Sequence, residues 1–223
     1  MPPKNPTKKY QKKDHISHCL DRPDMYVGST RLRKIEEYVA EQKEGTYIIN
    51  NKEIKSSPAI LRIFIEALSN AIDNVERSKK SKTPCTTIKV TLNEETGETS
   101  IWNDGDIVPI EMDPDEGVYN HTMIFGQLLT GSNYNDEEER IVAGRNGLGI
   151  KLCNIFSKTF TVEGIDPDQE KSFSQTWTNN MRDVGEPIIK KKKGKGYTKV
   201  SWVPDFKHFG LEKYNKDIIE LYT

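Results

Sequence analysis

The sequence predicts an α+β fold, a two-layer sandwich with helices on one face of a mostly antiparallel sheet. A long amphipathic helix pattern follows Pro58, short β-rich runs come in pairs joined by turn residues, and helical and strand-like segments mix along the chain without an internal repeat. The chain has 223 residues, 34% of them hydrophobic and 30% charged, enough for one domain with a real core, or one domain and a small second. Its net charge of −1 announces neither a nucleic-acid nor a membrane surface. No apolar run approaches the roughly 18 residues of a membrane span. The start, MPPKNPTKKYQKK, has no apolar stretch and is not a signal peptide. The three scattered cysteines, Cys19, Cys85 and Cys153, form no CxxC pair or zinc spacing and are expected to be reduced thiols in an intracellular protein.

Taken in order, residues 1–13 read as a loosely docked arm, basic through Lys4, Lys8, Lys9, Lys12 and Lys13 and interrupted by prolines. Residues 14–223 read as the folded domain. Asp14 caps a short helix, HISHCLDR, which Pro23 ends. YIIN, 47–50, reads as a short strand turning at Asn50-Asn51. Pro58 opens a helix reaching Lys80. TTIKVTL (86–92) and TSIWN (99–103) form a hairpin around NEETGE. A helix over 118–130 leads to a long loop, Gly131 to Arg145, followed by a helix in LGIKLCNIFSK and a strand in TFTVEG. FSQTWT and TKVSWV continue the β pattern, and EKYNKDIIELY reads as helix. Lys190 to Lys193 form a run of four, a solvated basic hairpin or a phosphate-directed, salt-sensitive contact.

Chemistry concentrates first on the long helix. At about 100° per residue, Leu61, Phe64, Ile65, Leu68, Ile72 and Val75 fall on one side, and Glu66, Asn70 and Asp73 on the other. A solvated face usually carries long Lys and Glu chains. Here an acid, an amide and a second acid are interleaved with small Ala67, Ser69 and Ala71, which leaves room for a ligand. A carboxylate can deprotonate a water, an amide oxygen suits Mg²⁺, and a second carboxylate can accept from an amino group or ordered water. The pattern suits a nucleotide.

The second concentration is GRNGLGIK, 144–151. It is not a P-loop, because Ile150 separates Gly149 from Lys151, and not a dinucleotide fingerprint, because Leu152 stands where a third glycine is needed. Its glycines still let backbone N–H groups approach an anion, and Arg145 and Lys151 add charge ahead of a helix N-terminus.

EALSNAIDN, then WNDGDIVP, then GRNGLGIK, in that order, resemble the GHKL (Bergerat) ATPase fold. RPDMYVGS, IFGQLLTGSNY, KLCNIFS and QTWTNNM narrow the resemblance to the N-terminal ATPase region of eukaryotic-type type IIA DNA topoisomerase II, including the copies in large DNA viruses, from about Tyr10 to the end. The resemblance implies an ATP-hydrolysing gate that dimerises on binding ATP and Mg²⁺ and so closes a clamp for DNA strand passage. Glu66 matches the general base and Asn70 the Mg²⁺ ligand. Asp73 matches a polar residue that helps shape the pocket, and Asn103 and Thr198 match residues near the adenine. Ser132 and Asn133 lie in the segment that matches one contacting ribose and phosphates. Arg145, Asn146, Gly147, Leu148, Gly149 and Lys151 match the lid over the triphosphate. Tyr26 matches a tyrosine that reaches the partner subunit's nucleotide, which implies a homodimer through the arm. Double-stranded DNA is expected as a partner of the full-length enzyme, with no membrane, in the nucleus or at a viral replication site. The transducer domain, with its phosphate-reaching lysine, and the DNA-cleaving domains are expected to lie outside this chain. A nucleotide-binding dimerisation module with negligible turnover is the alternative. Departures from the family are Ile107 where a second glycine is usual, Gly131 for a serine, Leu148 for a tyrosine and Ile150 for an alanine. Ile107 is expected to disturb the loop path or weaken nucleotide binding.

Overall fold

The computed structural model describes residues 13–128 and 148–223. The basic arm, the predicted 131–145 loop and the first part of the glycine motif therefore lie outside the described residues, apart from Lys13, which pairs with Asp21. Asp14 caps α1 (His15–Asp21) as predicted, its carboxylate accepting from Ser17 N at 2.8 Å. A 3-10 turn, Pro23–Met25, follows. Strands β1 (Arg33–Lys43) and β2 (Thr46–Ser56) form a separate antiparallel hairpin. This corrects the single short strand expected at 47–50. Asn50 and Asn51 lie inside β2, and the chain reverses at Glu44 and Gly45, both with positive φ. Asn50 donates to Glu41 across the pair at 2.7 Å, so its side chain serves the strand rather than a turn.

Helix α2 (Pro58–Ser78) starts behind Ser57, whose hydroxyl accepts from Ile60 N. β3 (Ile88–Leu92) and β4 (Thr99–Asn103) form the predicted hairpin. The helix expected over 118–130 is shorter, α3 (Asn120–Gly126), and Gln127 is already extended. α4 (Gly149–Ile155) likewise gives way early to β5 (Ser157–Asp166), where the chain joins the sheet. β6 (Lys171–Thr178), the short β7 (Asp183–Val184) and β8 (Ile188–Lys191), and β9 (Tyr197–Pro204) complete the sheet. α5 (Lys216–Tyr222) starts only after Asn215, which caps it through Ile218 N.

The sheet runs β3-β4-β9-β5-β6-β7, with β8 also on β6, and every pair among the described strands is antiparallel. Ile101, Val200, Val162, Phe160, Trp202 and Trp177 join one core with Ile60, Ile63 and Phe64 of α2 and Leu152, Cys153 and Ile155 of α4. The opposite face carries polar cross-strand neighbours, such as Thr161 and Thr176, whose hydroxyls bond at 2.9 Å. Two helices on one face and a polar second face make the expected two-layer sandwich. The hairpin of β1 and β2 is tied to α5 by Lys52, which bonds Glu41 at 2.9 Å and also pairs with Glu220. All three cysteines are buried free thiols. Among the described residues no helix is long and apolar enough to cross a membrane.

Two predictions follow from this packing. A Cβ on Gly126 would fall 2.5 Å from Nε1 of Trp177, an indole with no exposed surface. Gly126→Ala is expected to lower unfolding stability by about 1–3 kcal/mol, read as a shifted denaturant midpoint; an unshifted midpoint would mean that α3 and the indole separate freely. His121 is buried, stacks on Phe173 at 4.3 Å, and leaves Nδ1 without a hydrogen-bond partner. Burial pushes its pKa from 6.5 down to about 4, against a weaker pull upward from Asp166. The folded state therefore holds His121 neutral while the unfolded chain takes up a proton. Stability should be full above pH 6.5 and fall as pH drops towards 4. His121→Phe should flatten that slope in thermal melts across the same window.

Candidate nucleotide site

Helix α2 is oriented differently from the simple two-sided reading. Its core face carries Ile60, Ile63, Phe64, Ala67, Ala71, Asn74 and Ser78. The predicted apolar stripe is turned by about a quarter of a circle, so Ile65 and Ile72 are 39% and 49% exposed. The reason is steric. Ala67 and Ala71 are the small residues on this face, between the larger Ile60, Ile63 and Phe64 and the polar Asn74 and Ser78, and they let α4 come close. The room that these alanines leave is on the core side, against α4, and not on the ligand side as expected.

The polar flank keeps its predicted composition. Glu66 is 18% exposed at its side chain, Asp73 is half-buried and Asn70 is exposed. Asn70 donates through Nδ2 to Glu66 O at 2.8 Å, which commits its nitrogen to the helix backbone. Arg62, one turn earlier, pairs with Glu66 Oε1 at 2.5 Å. The other carboxylate oxygen lies against Gly149, the first residue of α4, where an added Cβ would overlap Oε2. The glycine motif and the acid of α2 thus meet in space. Leu148 precedes α4 at its N-terminal boundary and packs on the core, and Lys151 lies on the same helix with its side chain almost fully buried. Burial pushes the Lys151 pKa down to about 8. Arg145, Asn146, Gly147, Ser132 and Asn133 lie outside the described residues.

A second group of predicted residues meets at the end of the sheet. Asn103, the last residue of β4, is the register partner of Thr198 on β9. Asn103 is buried, and its amide donates to Asp104 O at 2.9 Å. The turn that follows is held from α2 by Asn74, which sequence reasoning missed. Its Nδ2 donates to Asp104 O at 3.2 Å and to Asp106 O at 3.0 Å, while its oxygen accepts from Arg77. The legible signal was an amide directly after Asp73 in the interior of an otherwise amphipathic helix. Asp104 was missed as well. Its carboxylate is buried, which alone would raise its pKa, but Lys195, Thr86 and Thr87 donate to it and hold it well below the ordinary carboxylate range. Gly105 has φ of +100°, and a Cβ there would fall within 2.7 Å of the Cys85 backbone. Ile107, two residues on, is not among the residues with positive φ, so the backbone strain expected of a branched residue there does not arise. Tyr26 belongs to neither group, since its hydroxyl shares a 2.8 Å hydrogen bond with His18 Nδ1. Among the described residues no cluster of three or more His, Cys, Asp or Glu could hold a metal.

This arrangement has counterparts in known proteins. Residues 56–177, just over half of the chain, match the family model described as histidine kinase-, DNA gyrase B-, and HSP90-like ATPase. The chain is 42% identical to DNA topoisomerase 2 of Drosophila melanogaster, over 95% of its own length and 14% of that protein's. It is 40% identical to DNA topoisomerase 2 of Invertebrate iridescent virus 6, over its whole length and 20% of the relative's. The chain thus spans a fifth or less of these curated relatives. The ATPase region of Saccharomyces cerevisiae topoisomerase II superimposes with a TM-score of 0.88 at 38% identity, covering 96% of this chain and 55% of that one. With the α2 acid against the glycine motif, and with that match spanning α2 through β6, the chain belongs to the histidine kinase-, DNA gyrase B- and HSP90-like ATPase family.

Proposed function

We propose that this chain is the ATP-operated gate of a type II DNA topoisomerase. It binds ATP with Mg²⁺, pairs with a second copy, and resets on hydrolysis so that a DNA duplex can pass. The observation that carries the reading is the sheltered Glu66 carboxylate, packed against Gly149 and flanked on the same helix by Asn70 and Asp73. Glu66 is the general base that takes a proton from the attacking water. Asn103 and Thr198 meet the adenine, and Asp73 shapes the pocket. Leu148, Gly149 and Lys151, with Arg145, Asn146, Gly147, Ser132 and Asn133, line the ribose and phosphates. Lys151, with its pKa near 8, becomes fully charged when a phosphate enters, because an opposite charge favours the ammonium.

Asn70 suits Mg²⁺. It is exposed, its nitrogen is spent on Glu66 O, and its free oxygen is the hard ligand that this ion prefers, with phosphates and waters supplying the rest. When bound, the ion offsets the charge of the phosphates. Tyr26 reaches the nucleotide of the partner subunit once His18 releases it, and residues 1–13 embrace that subunit. DNA is the partner of the full enzyme, in the nucleus or at a viral replication site, and cleavage of the duplex belongs to other domains.

Glu66→Gln is expected to lower kcat by about 10²-fold or more while the Kd for a non-hydrolysable ATP analogue changes by less than about threefold. Rapid-quench turnover and calorimetry separate the two. Asn70→Ala should weaken the Mg²⁺-dependent part of that binding, and wild-type and variant should agree in EDTA. Binding without turnover in the wild-type chain would leave a nucleotide-operated dimerisation module in place of an ATPase.

A further inference from the structure

We infer that Lys195 is a positioning residue for the base end of the nucleotide, acting through Asp104. This rests on the reading above that Asn103 and Thr198 meet the adenine. Asp104 directly follows Asn103 and is 1% exposed, so a carboxylate stands buried beside the proposed base contact. Oδ1 accepts from Thr86 N and Thr87 N, both at 2.8 Å. Oδ2 accepts from Thr86 Oγ1 at 2.8 Å and from Lys195 Nζ at 2.7 Å. Three of the four donors come from the segment leading into β3, and none of those is charged. Lys195 supplies the one full positive charge, and it comes from the turn between β8 and β9.

That origin gives the pair its consequence. Lys195 lies three residues before Thr198, which is the register partner of Asn103. The ion pair therefore fastens the approach to β9 onto the turn leaving β4, beside the strand ends that carry the two base-facing residues. Gly196 continues the same contact, since a Cβ on it would stand 3.1 Å from Pro167 Cδ and 3.4 Å from Ile107 Cγ2. Ile107, half-buried, thus lies against the turn that Lys195 anchors. Asn74 fixes the backbone of the 104–106 turn from the α2 side, and Lys195 fixes its carboxylate from the β9 side. With Lys195 removed, the carboxylate loses its cation, and the approach to β9 loses its tie to the turn leaving β4, while the β4–β9 ladder itself stays paired. The Lys195 side chain is itself 74% exposed, so its replacement leaves the core intact.

The test is calorimetry on the full chain with two probes, ADP and a non-hydrolysable ATP analogue. Lys195→Met should weaken both by the same factor, about three- to tenfold, Lys195→Arg should restore both, and Asp104→Asn should add little on top of Lys195→Met. A cation that touched the phosphates directly would instead show a loss that grows from ADP to the triphosphate, and that pattern overturns the inference. Unchanged affinities overturn it as well. Should Asp104→Asn fail to fold by circular dichroism, the Met and Arg variants at 195 decide alone. If the wild-type chain binds neither probe, the nucleotide reading itself has failed and this inference falls with it.

Discussion

The last strand of the sheet is the piece on which the others depend. β9 pairs with β4 on one side and β5 on the other, so two hairpins become a single sheet only when residues 197–204 slot between them. Its register partners are distant in sequence, Ile101 with Val200 and Asn103 with Thr198. Closing so long a loop costs chain entropy, which grows slowly with length. Burial of Trp202 and Val200 against the helix layer offsets that cost. The same insertion brings the two proposed base contacts side by side and seats the sheet under α2 and α4.

The helix layer shows a second constraint. α2 has to present a narrow face to the sheet and α4, and Ala67 and Ala71 provide it. Ile65 and Ile72 are thereby left on one flank, beside a core face that also holds Ile60, Ile63 and Phe64, and the polar residues on the opposite flank. The polar flank is thus a by-product of which face is narrow enough to pack. That explains why an acid can be half-sheltered on a helix without entering the core.

Much of this was legible in the sequence. The Asp14 cap, the Pro58 start, the β3–β4 hairpin and the angular grouping of Glu66, Asn70 and Asp73 are local patterns that survive folding. The β1 strand was not legible, because RKIEEYVAEQK carries charge on both faces and its alternation is weak. The orientation of α2 was hidden because hydropathy ranks isoleucine above alanine, whereas close packing here needs the smaller residue. Asn74, Asp104 and Lys195 were missed for a different reason. Their importance comes from partners far along the chain, and the lysine was masked by the run of four just before it.

The contact between Glu66 and Gly149 changes how position 149 should be understood. Gly149 is not among the glycines with positive φ, so its backbone conformation is open to any residue. What keeps it a glycine is volume, since the carboxylate occupies the place of a side chain. A substitution there is an indirect mutation of Glu66. It would push the acid off its position without straining the backbone at 149. Positions 149 and 66 thus share one volume, and room for a side chain at 149 exists only where the chain at 66 gives it up.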